Sequence, residues 1–122
     1  LMLLAIRETG DHLGELNMVM QVGEKSAGQH FTPYGLSLLT ARMAFDRDQA
    51  RKQIETFGCL PITEPACGSG SMIIAYAQIM KESGLNTQDL RVTMQDIDRH
   101  CVNMAYIQAR FNDLPAVCIH GD

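Results

Sequence analysis

The 122-residue sequence has no tryptophan, and its four cysteines, Cys59, Cys67, Cys101 and Cys118, include no Cys-x-x-Cys pair. Its four histidines, His12, His30, His100 and His120, add no close ligand spacing. These absences argue against a disulfide scaffold or a zinc site and lead us to expect reduced thiols in a cytoplasmic protein. No long apolar run occurs either. Leu1 to Ile6 is only six residues, too short for a membrane span, and it lacks the basic start and small-residue cleavage site of a signal peptide. Excess positive charge is also missing: ten Lys and Arg against fourteen Asp and Glu leave a net charge of -4. Such a chain is poorly suited to gripping a phosphate backbone by itself, so nucleic acid would have to be held by other regions or subunits. Its length suits one modest core. A start at Leu1 and a stop at Gly121-Asp122 straight after an apolar run read as a piece of something longer.

What is present falls into two parts. Residues 1–28 read as a helical extension, with two apolar stretches separated by Gly10-Asp11 and with Leu13, Leu16 and Met20 at helical spacing, followed by a polar loop from Gly23. Thr32-Pro33 then reads as a helix start, with Thr32 as the cap. Leu36, Leu39 and Met43 line one helical face, and a charged segment continues to Gly58. Beyond it the pattern turns to short apolar strands over Leu60 to Thr63, Arg91 to Gln95 and Ala116 to His120. Helices over Met72 to Glu82 and from Asp98 to about Asn112 separate them. Alternation of this kind predicts parallel crossovers and hence an α/β fold with part of a doubly wound sheet over residues 29–122.

Ligands of open parallel sheets bind outside the carboxyl ends of the strands. Each predicted strand runs into an acid there: Glu64, Asp96 and Asp122. After the first comes Cys67-Gly68-Ser69-Gly70, where Gly68 and Gly70 permit positive φ and close approach of a ligand, and the next helix offers N–H groups to an anion. Two details separate this turn from the dinucleotide fingerprint. The third glycine position is Ile73, and Glu64 would repel a pyrophosphate. The expected guest has a carboxylate for the helix end and a cation for Glu64, a description that S-adenosylmethionine meets. Asp96 would accept the ribose hydroxyls and Asp122 the adenine amino group, with Asp98 reserved for capping. Cys67 reads as a small buried thiol, because no base is placed beside it.

The segment Glu64-Pro65-Ala66-Cys67-Gly68-Ser69-Gly70 resembles the cofactor motif of the N6-adenine DNA methyltransferases, especially the modification subunits of type I restriction systems, where Asp is usual in place of Glu64. Gln29-His30-Phe31-Thr32-Pro33 is similar to the family's upstream Gly-x-Phe-Tyr-Thr-Pro segment, with His30-Phe31 where Phe-Tyr is commoner. Gln95-Asp96-Ile97-Asp98 and His120-Gly121-Asp122 are similar to its second and third strand ends. The resemblance, over roughly Gly28 to Asp122, implies a Rossmann-like methyltransferase fold with S-adenosylmethionine as cofactor. It assigns Thr32 to the methionine end, Glu64 to the ammonium, Gly68 and Gly70 to backbone approach, Asp96 to ribose and Asp122 to adenine. Phe31 reads equally as a wall of the cofactor pocket or as ordinary core. DNA would be the substrate, reached through regions or subunits outside this chain, with specificity and restriction subunits as partners. The family's Asn-Pro-Pro-aromatic segment, which holds a flipped adenine, occurs nowhere in the sequence. The chain alone is therefore expected to be inactive. Other readings are a methyltransferase of RNA or protein and a non-catalytic remnant that assembles with a partner. In the family's sheet the fourth strand lies beside the first, so the first strand here is expected to be an open edge and a route to oligomers.

Overall fold

The computed structural model of the chain describes residues 10–14, 16 and 32–122. Most of the helical extension expected over residues 1–28 lies outside them, although residues 12–14 and 16 are helical. Three strands, β1 (Leu60–Glu64), β2 (Leu90–Asp96) and β3 (Ala116–His120), pair in parallel in the order β1-β2-β3. Helices α1 (Tyr34–Ala44) and α2 (Arg47–Phe57) precede the sheet, α3 (Ser71–Glu82) connects β1 to β2, and α4 (Arg99–Phe111) connects β2 to β3. This is the α/β crossover pattern expected from the sequence, with strands β1 and β2 extending to include the acids Glu64 and Asp96.

Local chemistry sets the helix ends. Asp46 caps α2 by accepting from Gln49 N at 3.1 Å, and Gly58, at φ 79°, closes it in the left-handed conformation. Asp98 caps α4 by accepting from His100 N at 2.8 Å. Thr32 does not play the equivalent part. Pro33 stands at the N-cap position of α1 and no side chain caps that end, because Pro33 at ψ 139° carries the extended chain one residue further before the helix begins.

Period-two alternation decides which side of the sheet is covered. Leu60, Leu90, Val92 and Met94 point into one core with Ile73, Ala77 and Met80 of α3 and Ala105 and Ala109 of α4. Ile62, Ala116 and Cys118 border the same core, and Ala50 brings α2 to it. Leu90 and Met80 are fully buried, each contributing about 1.5–3 kcal/mol by removal from water. Helix α1 packs on α3 through Ala41, Ala75 and Ile79, joined by a buried Ser37–Ser71 hydroxyl contact of 3.0 Å. The opposite face holds Pro61, Thr63, Arg91, Thr93, Gln95, Val117 and Ile119. Of these, Val117 is 61% and Ile119 43% exposed. Among the described residues, therefore, the core lies on one face of the sheet. No described helix is long and apolar enough to cross a membrane.

Candidate functional site

The site is built where β1 gives way to α3. Gly68 has φ 55° and Gly70 φ 90°, values that a side chain would strain, and together they fold the chain back beside the end of β2. Cys67 N donates to Gln95 O at 2.9 Å and Gly70 N to Cys67 O at 2.8 Å, so the turn is anchored to β2 and closed on itself. Gly70 also stands at the N-cap of α3, and no side chain caps this end. The N–H groups of the first turn of α3 thus keep their capacity for an anion, with the helix dipole behind them.

Asp96 holds the turn from the neighbouring strand. Its Oδ2 accepts from Gly68 N and its Oδ1 from Asp98 N, both at 2.9 Å. Each carboxylate oxygen retains a further lone pair, so both can still accept from a ligand hydroxyl. Glu64 is half-buried, and its Oε1 accepts from Ala66 N at 3.1 Å. Oε2 of Glu64 has no hydrogen bond among the described residues. Gly121 N donates to Asp96 O at 3.0 Å, and Gly121 O accepts from Gln95 Nε2 at 3.0 Å, which fastens the chain just before the exposed Asp122 to the same edge.

The three acids do not stand level. Glu64 is opposite Met94, whereas Asp96 is opposite His120, so each acid lies two residues beyond the register of the one before. At about 3.3 Å per residue, Asp96 is carried roughly 7 Å further out than Glu64 along the strand direction. The cause is local: β1 stops at Glu64 because Pro65 opens the turn, and Cys67 N takes over the bond to Gln95 O. The result is a stepped row of acceptors, suited to an elongated ligand with separated donor groups.

Three thiols surround the base of this row. Burial, followed by the Asp96 charge, pushes Cys67 up to about 12. Burial, with Asp96 and Asp98, pushes Cys101 up to about 11, and burial raises Cys118. Cys67 is buried, and its Sγ lies 3.6 Å from Gly68 O. Cys67 packs into the hydrophobic core as a small apolar group. No group of three or more His, Cys, Asp or Glu residues among those described could hold a metal ion.

The structure brings Glu64, Gly68, Gly70, Asp96 and Asp122 to one edge. Thr32 is exposed and makes no cap, and among the described residues it has no hydrogen bond to the turn. Phe31 lies outside the described residues. Sequence reasoning missed Asp11, Ser69 and Gln108. Ser69 Oγ donates to Asp11 Oδ2 at 2.8 Å, and Gln108 Nε2 donates to Asp11 Oδ1 at 2.7 Å. Asp11 could have been noticed as an acid opening a helical stretch, since its Oδ1 also accepts from Gly14 N. Its partners, 58 and 97 residues away, left no local signal.

The profile of the N-6 DNA Methylase family matches residues 12–115. No curated protein matches at a significant level. Among solved structures, a protein of Listeria monocytogenes described as a class I S-adenosylmethionine-dependent methyltransferase superposes with a TM-score of 0.61 at 16% identity. The match covers 96% of this chain and 35% of that one, so this chain spans about a third of that relative's length. The likeness is one of fold.

Proposed function

The chain belongs to the N-6 DNA methylase family, whose cofactor is S-adenosylmethionine, and from that premise we propose that it is the cofactor-binding part of a DNA adenine-N6 methyltransferase of a restriction-modification system. The observation that carries this reading is the bond from Gly68 N to Asp96 Oδ2, which joins the glycine turn and the second strand's acid into one acceptor edge. The chemistry of that edge fits the cofactor. Ribose hydroxyls and an ammonium are donors, and Asp96 and Glu64 offer acceptors. The ligand carboxylate is an acceptor, and the uncapped start of α3 offers donors. A pyrophosphate in the same place would face the Glu64 carboxylate.

In this reading Glu64 pairs with the ammonium, Gly68 and Gly70 let the methionine end approach the backbone, Asp96 takes the ribose hydroxyls and Asp122 the adenine amino group. Thr32 belongs to the methionine end, and Phe31 to the wall of the cofactor pocket. The bound cofactor supplies an electrophilic methyl group on its sulfonium. The Asn-Pro-Pro-aromatic segment that would hold the acceptor base is not among these 122 residues, so this polypeptide by itself is expected to transfer no methyl group to DNA. In the same reading, DNA is reached through regions or subunits outside this chain, with specificity and restriction subunits as partners. Edge strand β1, which pairs only with β2 among the described residues, is a route to self-association.

Titration calorimetry with S-adenosylmethionine tests the reading. Binding is expected, and Glu64→Ala should weaken it by about ten- to a hundred-fold, the worth of a charge-assisted contact of roughly 1.5–3 kcal/mol. Unchanged affinity would remove Glu64 from the site, and preference for NAD over the methyl donor would overturn the proposal.

A further inference from the structure

A buried carboxylate from the far end of the chain reaches the same turn. Asp11 is 1% exposed, and both of its oxygens are engaged. Oδ2 accepts the Ser69 hydroxyl at 2.8 Å, and Oδ1 accepts Gln108 Nε2 at 2.7 Å and Gly14 N at 3.0 Å. Gln108, itself buried on α4, completes the arrangement by donating from Nε2 to Ser69 O at 2.7 Å and accepting from Leu13 N at 3.0 Å. Among the described residues no Lys or Arg forms an ion pair with Asp11. The cost of burying this polar group is therefore offset by hydrogen bonds, which constrain direction as well as distance.

The spacing Asp11-His12-Leu13-Gly14 is part of the device. A Cβ at Gly14 would fall onto the Asp11 carboxylate, so only glycine leaves that group where Ser69 and Gln108 meet it. Consecutive residues of the turn are then held by two aspartates, Gly68 by Asp96 and Ser69 by Asp11. The second hold comes from a segment that the sequence suggested was an extension to the domain.

We propose that Asp11 is a positioning residue for the cofactor turn: by fixing Ser69 between α4 and the N-terminal segment, it keeps Gly68 and Gly70 in the conformation that receives the ligand. The inference rests on the cofactor-binding reading above for its functional consequence, and on the hydrogen bonds alone for its structural part.

The two parts are tested separately on the full chain. Hydrogen–deuterium exchange without ligand reads the amides of Gly68 and Gly70, both of which donate in the structure. Asp11→Ala and Gly14→Ala should raise their exchange by about tenfold or more, while Val92 N, bonded to Pro115 O within the sheet, exchanges as before. Asp11→Asn retains an oxygen for Gln108 and Gly14 and an amide donor for the Ser69 hydroxyl, and should restore most of the protection. Titration with S-adenosylmethionine should then show a loss of about tenfold for Asp11→Ala and Gly14→Ala and near-native affinity for Asp11→Asn. If Asp11→Ala does not fold, Gly14→Ala and Asp11→Asn decide the comparison. Unchanged exchange at Gly68 and Gly70, or an equal rise at Val92, overturns the positioning role. Altered exchange with unaltered affinity overturns its link to the ligand. A wild-type chain that binds no S-adenosylmethionine instead overturns the proposed function, and the exchange measurement still decides whether Asp11 holds the turn.

Discussion

Replacing Asp96 by alanine removes two acceptors at once, those of Gly68 N and Asp98 N, each 2.9 Å from its carboxylate oxygen. In a dry site each charge-assisted bond would contribute about 1.5–3 kcal/mol. Asp96 is half-buried, so screening by solvent lowers this to about 1 kcal/mol each, and the pair to about 2 kcal/mol. For a domain of 122 residues, with an unfolding entropy of about 2.1 cal/mol/K per residue, that is a fall of roughly 8 °C in Tm. Asp96→Asn should lose a similar amount, because one of its two polar atoms becomes a donor facing a backbone donor. Thermal melts of the wild type and both variants, each with and without S-adenosylmethionine, separate stability from binding. The ligand should raise the wild-type Tm, and raise that of both variants by less at the same ligand concentration. If Asp96→Ala melts as the wild type does and is stabilised equally by ligand, the account of the turn and of the ribose site is wrong.

Gly70→Ala places a Cβ 3.5 Å from Ala105, an ordinary contact, so its cost should be the strain of φ 90° alone, roughly 1–2 kcal/mol in a urea melt; no loss at all would contradict the backbone argument. For the thiols the sign follows from linkage. Cys67 and Cys101 are held protonated up to about 12 and about 11 in the folded chain, against 9.0 in the unfolded one. The unfolded chain therefore loses protons first, and this stabilisation is complete below pH 9 and is lost as pH rises towards 12. Urea midpoints between pH 8 and 10.5 should fall more steeply for the wild type than for Cys67→Ala, and parallel curves would refute the burial argument.

Much of the fold was legible because its signals are local. Gly58 and Asp98 mark helix ends by chemistry confined to a few residues, and the apolar alternation of Leu90, Val92 and Met94 marks a strand with one buried face. The glycine turn and its neighbouring acids were legible for the same reason. Thr32 was misread because a hydroxyl before proline looks like a cap, whereas the extended ψ of Pro33 delays the helix by one residue. The step between Glu64 and Asp96 could not be read, since register depends on which backbone groups pair across strands. Period alone could not tell whether helices lie on one face of the sheet or on both. The meeting of Asp11, Ser69 and Gln108 was invisible because it joins three segments by side chains of ordinary type.

Asp96 is already oriented by two backbone amides and Glu64 by a third, all within the protein itself. A ligand reaching this edge therefore meets acceptors whose rotamers have been selected in advance, and little side-chain entropy is left to lose on contact. Association at such a site is governed by encounter and orientation, and differences in affinity among ligands or variants should lie chiefly in their residence times.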